Sequence, residues 1–230
     1  DGAGSSLEVG ASAITSLTDN GIGLRASNGA DVRVGASAVT TYGKDAAGLH
    51  AAGADTRANN VTIETHGDNN AMGAVADGNG HIVLNGGSVT THGDSVRQGS
   101  FPHGLAARNP GGTIVAHGTS VRTTGNTAYG AVTDDGGSMT HNDLSVVTEG
   151  DNSIGLYSVV EQAGPQFAAS MKGNNISVET FGNRAAGAMV QQSFLDAPAT
   201  LSMDGATIAT HGEASVGLHA GTGGSLVAHN

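Results

Sequence analysis

The sequence predicts an all-β fold, a right-handed parallel β-helix (solenoid) of about eight coils with three short strands each. Three observations predict it. A marker of the form Thr-x-Gly, followed about five residues later by Gly-Leu/Ala-x-Ala, recurs in units of roughly 25 residues along the whole chain. Within each unit apolar residues alternate with period two in short runs bounded by Gly, Asn or Asp, as in Val32-Arg33-Val34. No stretch sustains a 3.6-residue period, so the crossover helices of an α/β domain are missing and the strands must wind directly into coils.

The second glycine of the marker falls at Gly23, Gly48, Gly73, Gly104, Gly130, Gly155, Gly187 and Gly217, in steps of 25, 25, 31, 26, 25, 32 and 30 residues. Aligning the copies gives one column per strand. The first strand contributes Leu7, Val32, Ile82, Ile114, Met139, Met171 and Leu201. The second contributes Ile14, Val39, Ile63, Val89, Val121, Val146, Val178 and Ile208. The third contributes Leu24, Leu49, Ala74, Leu105, Ala131, Leu156, Ala188 and Leu218. A further column of mostly small residues, Ala26, Ala51, Ala76, Ala107, Thr133, Ser158, Val190 and Ala220, fits a narrow interior beside Leu and Ile. Stacking equivalent strands at about 4.8 Å turns these columns into a continuous core.

The 38 glycines are expected at coil corners that turn sharply, often with positive φ. The chain reads as one elongated domain, 1–230, because no linker or charge run interrupts the period. A formal net charge of −11 with nine Lys and Arg argues against nucleic acid or an anionic membrane surface as partner. Without cysteine there is neither a disulfide framework nor a thiolate metal site, and no segment is long and apolar enough to insert into a membrane.

The repeats Gly86-Gly87-Ser88-Val89-Thr90-Thr91-His92-Gly93-Asp94 and Gly205-Ala206-Thr207-Ile208-Ala209-Thr210-His211-Gly212, each leading to Gly-Leu-x-Ala, resemble the passenger domains of pertactin-type autotransporters. The resemblance covers nearly all 230 residues. It implies an adhesin or virulence factor, secreted or displayed on a Gram-negative cell surface through its own C-terminal outer-membrane barrel. On that expectation the chain is the N-terminal part of a longer passenger, without the translocator. No Arg-Gly-Asp tripeptide occurs, so integrin binding by that motif does not carry over.

Chemistry is weighed against coil building. His66 and Asp68 in one copy and His92 and Asp94 in the next stack as a metal candidate, with a solvated His and Asp ladder as the simpler reading. Parallel β-helices also host polysaccharide lyases and glycosidases, which need clustered carboxylates in a cleft. Asp134, Asp135 and Glu161 are the candidates, although Asp134-Asp135 sits beside Gly136-Gly137 and reads as turn chemistry. No Trp and only three Tyr supply sugar platforms. The expectation is therefore a protein that is not an enzyme and carries no cofactor or metal, with a glycan-active enzyme as the alternative and a structural stalk presenting a distal module as a further one.

Recognition is expected where copies exceed the minimum length. Gly93 to Gly104 takes eleven residues where other copies take five or six, projecting a loop at 95–102 with Arg97, Phe101 and Pro102. Two further insertions leave the third strand, at 159–167 with Val159, Gln162 and Phe167, and at 191–198 with Gln191, Phe194 and Leu195. Occupying the same corner of successive coils, they are expected to form one protrusion that contacts a host protein or host cell-surface ligand.

Overall fold

The computed structural model describes residues 2–97, 99–194 and 196–229. Most of its strands are short, bounded by Gly, Asn or Asp. In chain order they are β1 (Ser6–Val9), β2 (Ala13–Ser16), β3 (Ile22–Ser27), β4 (Asp31–Val34), β5 (Ala38–Thr41), β6 (Ala47–Ala52), β7 (Asp55–Asn59), β8 (Thr62–Thr65), β9 (Met72–Asp77), β10 (His81–Asn85), β11 (Ser88–Thr91) and β12 (His103–Arg108). There follow β13 (Thr113–His117), β14 (Ser120–Thr123), β15 (Tyr129–Asp134), β16 (Ser138–Thr148), β17 (Ile154–Val160), β18 (Ala169–Thr180), β19 (Ala186–Gln192), β20 (Ala199–Asp204), β21 (Thr207–Thr210), β22 (Val216–Ala220) and β23 (Ser225–His229). One 3-10 turn, Pro165–Phe167, is the sole helical element among the described residues.

Every strand pairing is parallel, and from β1 to β13 each strand pairs with the one three places on. The result is a parallel β-solenoid of about nine turns. The first and second strand columns are joined where β16 and β18 run unbroken through the corner, giving a 15-stranded sheet; β3, β6, β9, β12, β15, β17, β19 and β22 form a separate eight-stranded sheet.

The register reproduces the apolar columns residue for residue. Ile14, Val39, Ile63, Val89, Val121, Val146, Val178 and Ile208 stand opposite one another in succession. So do Leu24, Leu49, Ala74, Leu105, Ala131, Leu156, Ala188 and Leu218. The gap in the first column between Val32 and Ile82 is filled by buried Thr56. The Thr of the marker is itself internal: Thr41, Thr65, Thr91, Thr123, Thr148 and Thr180 are all fully buried. Thr65 Oγ1 donates to the Ala71 carbonyl at 3.3 Å and Thr123 Oγ1 to the Ala128 carbonyl at 3.2 Å, tying the second strand to the third across the corner.

The marker glycines have a different cause from the one expected. Fourteen other glycines do take positive φ, Gly29, Gly53 and Gly78 among them, but none of the marker glycines does. A Cβ on Gly48 would stand 2.6 Å from the Gly73 carbonyl oxygen and collide with Ile63, so close approach inside the coil excludes a side chain. Positive φ falls instead on Asn20, Asp45, Asn69, Thr127, Asn152, Arg184 and Ala214 at the same corner. The residue before most of them builds a ladder along the axis. Asp68 Oδ1 accepts from the Asp94 amide at 3.1 Å, Asp94 Oδ1 from Asn126 at 2.7 Å, Asn126 Oδ1 from Asp151 at 2.9 Å, and Asp151 Oδ1 from Asn183 at 2.7 Å. Corner amides left unpaired by the strands are thereby satisfied, which explains why acids recur there.

Candidate functional site

The eight-stranded sheet is apolar on both faces. Its inward residues belong to the main core, while Ala47, Met72, Val75 and Ala106 form a second cluster on the other side, with Ile22 against it. An outer sheet face is ordinarily polar, so this one requires cover. The loop at 94–102 supplies part of it. Asn70 holds the loop by donating from Nδ2 to Ser100 Oγ at 3.3 Å and accepting the Phe101 amide on Oδ1 at 3.2 Å. Ser95 Oγ closes the loop on the Ser100 carbonyl at 2.7 Å.

Between this loop and the opposite rim run three connected hollows. The first, about 430 Å³, is bordered by Ile22, His50, Met72, Arg97 and Arg108. The second, about 160 Å³, shares Met72 and Arg108 with it and adds Gly99, Phe101 and Glu161. The third, about 260 Å³, lies among Phe101, His103, Tyr129, Tyr157, Asp134 and Glu161. They cross the strands from β3 to β17, so the groove follows the solenoid axis for about 24 Å.

One rim is aromatic. The rings of Phe101 and Tyr129 stack at 5.5 Å, His103 and Tyr129 at 5.3 Å, and Tyr157 meets Tyr129 edge-on at 5.6 Å. His103 and Tyr129 are register partners, so strand stacking places the rings over one another. The Tyr157 hydroxyl donates to Gln191 Oε1 at 3.1 Å. The other rim is charged: Asp77, Arg108 and Asp134 stand opposite one another in successive strands, and Arg108 pairs with Asp77 at 3.3 Å. Burial, reinforced by Asp135 and Glu161, pushes the Asp134 carboxyl up to about 7. Burial and the neighbouring Arg108 push His103 down to about 3, and burial raises both Tyr129 and Tyr157. At neutral pH the groove thus offers a neutral imidazole, two phenols and a carboxyl whose hold on its proton is strengthened by burial.

The expected recognition residues divide. Arg97 is exposed at the first hollow, Phe101 lines the second and third, Val159 is buried beneath the third, and Gln191 fixes Tyr157. Pro102 is buried at the loop base. Gln162 is exposed, but its Nε2 is engaged with Asp135 Oδ2 at 2.9 Å. The two later insertions are neighbours, with the Ser193 amide donating to the Val160 carbonyl at 2.9 Å and the Ala169 amide to the Pro198 carbonyl at 3.0 Å. They do not present a shared aromatic face: Phe167 turns in against the main core from its 3-10 turn, while Phe194 is exposed. Leu195 lies outside the described residues.

Asp135 is indeed a turn residue, with positive φ and Oδ1 accepting the amides of Glu161 and Gln162 at 2.7 and 3.0 Å. Asp134 beside it faces the groove. The four residues weighed as a metal candidate, His66, Asp68, His92 and Asp94, do not form one cluster, because Asp68 and Asp94 belong to the corner ladder. Sequence reasoning missed His103, Tyr129, Tyr157 and Arg108 as a set. The available signal was the third strand's apolar character on both faces, as in Met72-Gly73-Ala74-Val75-Ala76.

Comparison with protein-family models, curated proteins and solved structures gives no match. The fold and the groove therefore define the class by themselves: an all-β parallel solenoid with an axial, aromatic-rimmed groove on its separate sheet.

Proposed function

We propose that this chain is an exported, surface-exposed solenoid of the pertactin-type passenger class, right-handed with three strands per coil, that acts as an adhesin by holding an extended host cell-surface saccharide. The observation that carries this reading is the groove. A saccharide chain offers alternating apolar faces and hydroxyl edges, and the groove sets stacked rings on one rim against Arg108, Asp134 and Glu161 on the other. Its run along the axis suits a linear polymer better than a compact ligand. The test is binding of the purified chain to an array of glycans and host surface proteins, with Tyr157→Ala and Arg108→Gln as groove variants and Phe194→Ala as control. Loss of glycan binding in the groove variants alone supports the reading. Binding lost only with Phe194→Ala would move recognition back to the insertions.

A second reading, hydrolysis of the bound chain, is favoured by one observation. Burial raises the Asp134 carboxyl to about 7, and it shares its hollow with Glu161, the pairing of a raised acid and a second carboxylate that glycoside hydrolysis uses. Release of reducing ends during prolonged incubation, abolished by Asp134→Asn, would establish it over adhesion.

A further inference from the structure

We propose that Glu64, His66 and His92 form a binding site for a divalent transition cation of the zinc type on the 15-stranded sheet, away from the groove. Strand stacking creates it. Glu64 lies in β8, His66 immediately follows that strand, and His92 holds the equivalent place after β11, the register partner of β8. The two imidazoles stack at 4.7 Å, and Tyr42, one turn earlier, stacks on His66 at the same spacing, so the pile keeps both rings parallel. Both Nε2 atoms point to one carboxylate oxygen: Glu64 Oε1 is 3.5 Å from His66 Nε2 and 2.8 Å from His92 Nε2. The three donor atoms all lie within 4.8 Å of one another.

Ligands held at 2.0–2.1 Å around a tetrahedral zinc stand about 3.3 Å apart. Two of the three separations already bracket that value. The third lies within 4.8 Å and is shortened on metal binding by rotation of one of the two imidazoles, each about one-third exposed. The far nitrogen of His92 has its own partner, Thr124 Oγ1 at 3.4 Å, which leaves Nε2 for the metal. Two imidazoles and one carboxylate favour a cation of intermediate softness over Ca²⁺ or Mg²⁺, which take oxygen donors, and the open face leaves a position for water. The solenoid also supplies an internal comparison. Glu179 and His211 repeat the geometry, with Nε2 to Oε1 at 2.9 Å and Phe181 stacked on His211 at 4.7 Å, but Phe181 occupies the place of the first imidazole. One imidazole and one carboxylate there leave the set incomplete.

The experiment is isothermal titration of zinc chloride into the chelator-treated, tag-free chain, with circular dichroism confirming that each variant is folded. The wild type is expected to take up one strong equivalent. His66→Gln and His92→Gln are each expected to weaken it at least ~10-fold, and Glu64→Gln to weaken it measurably, whereas His211→Gln leaves it unchanged. Phe181→His, which completes the second set, is expected to raise the stoichiometry to two. Absence of saturable binding in the wild type, affinity unaltered by His66→Gln and His92→Gln, or a Phe181→His variant that stays at one equivalent would each overturn the proposal.

Discussion

Replacing His141 with leucine is expected to stabilise the protein, and to do so more strongly in acid. His141 occupies an inward position of β16, between Ala116 and Gly173 in the stacked column, where small neighbours make room for its ring. The residue is fully buried, and neither Nδ1 nor Nε2 has a partner among the described residues. Burial lowers its pKa to about 3, so the ring is neutral, with one unpaired donor and one unpaired acceptor. Each such group costs about 1–3 kcal/mol, and repacking a residue of similar volume costs under about 1.5 kcal/mol. Two such groups less the repacking cost give a net expected gain for His141→Leu at pH 7 of about 0.5–6 kcal/mol. The pH dependence follows from linkage. Below the unfolded-state pKa of about 6.5 the unfolded chain takes up a proton that the native ring refuses, so wild-type stability falls as pH falls, by up to about 1.4 kcal/mol per unit. Between pH 7 and pH 5 the advantage of the variant should grow by about 2 kcal/mol. His103, also buried and lowered to about 3, keeps its own acid sensitivity in both proteins. Denaturant unfolding followed by circular dichroism at the two pH values measures both effects. A variant less stable than wild type at pH 7, or one with the same pH slope, would refute the reasoning.

Three further outcomes are expected. Val89, buried between Ile63 and Val121, should tolerate no charge: Val89→Asp is expected to cost about 3–5 kcal/mol, whereas Thr90→Asp on the outer face is mild, and equal losses in thermal unfolding would show the strand phase to be wrong. Thr127 is β-branched at positive φ where equivalent corners use Asn69 and Asn152, so Thr127→Asn should raise stability by about 1 kcal/mol, and a loss would place the strain elsewhere. Asp94→Ala removes the acceptor for the Asn126 amide and should cost about 1–2 kcal/mol, while Asp94→Asn, which keeps an acceptor oxygen, should be nearly neutral; equal losses would deny the ladder its role.

The coil is legible in the sequence because each repeat samples the same local physics. Val89 is inward for the reason that Val121 and Val146 are, and a column of eight such residues cannot arise from surface positions. What the repeats do not reveal is anything that breaks them. The groove depends on one long loop lying back over the sheet, and that placement rests on Asn70 meeting Ser100 and Phe101, a pairing that no periodicity encodes. Phe167 was expected outward because it lies in an insertion, yet the cost of exposing its ring draws it onto the core. Asp68 and Asp94 resembled metal ligands only while their corner amides were out of view. The glycine column, assigned to turning, belongs to close approach.

The central claim, recognition of an extended saccharide in the groove, is open to a direct optical measurement because the chain has three tyrosines and no tryptophan. Tyr42 lies outside the groove against His66, so Tyr42→Phe leaves Tyr129 and Tyr157 as the emitting residues. Titration of this variant with oligosaccharides of neutral, amino and uronic-acid sugars, in short and long forms, should give a saturable change in tyrosine emission. Longer forms should bind more tightly, and Tyr157→Ala should remove most of the response. Glycan binding seen by calorimetry without any change in tyrosine emission, or binding retained in full by Tyr157→Ala, would contradict the account.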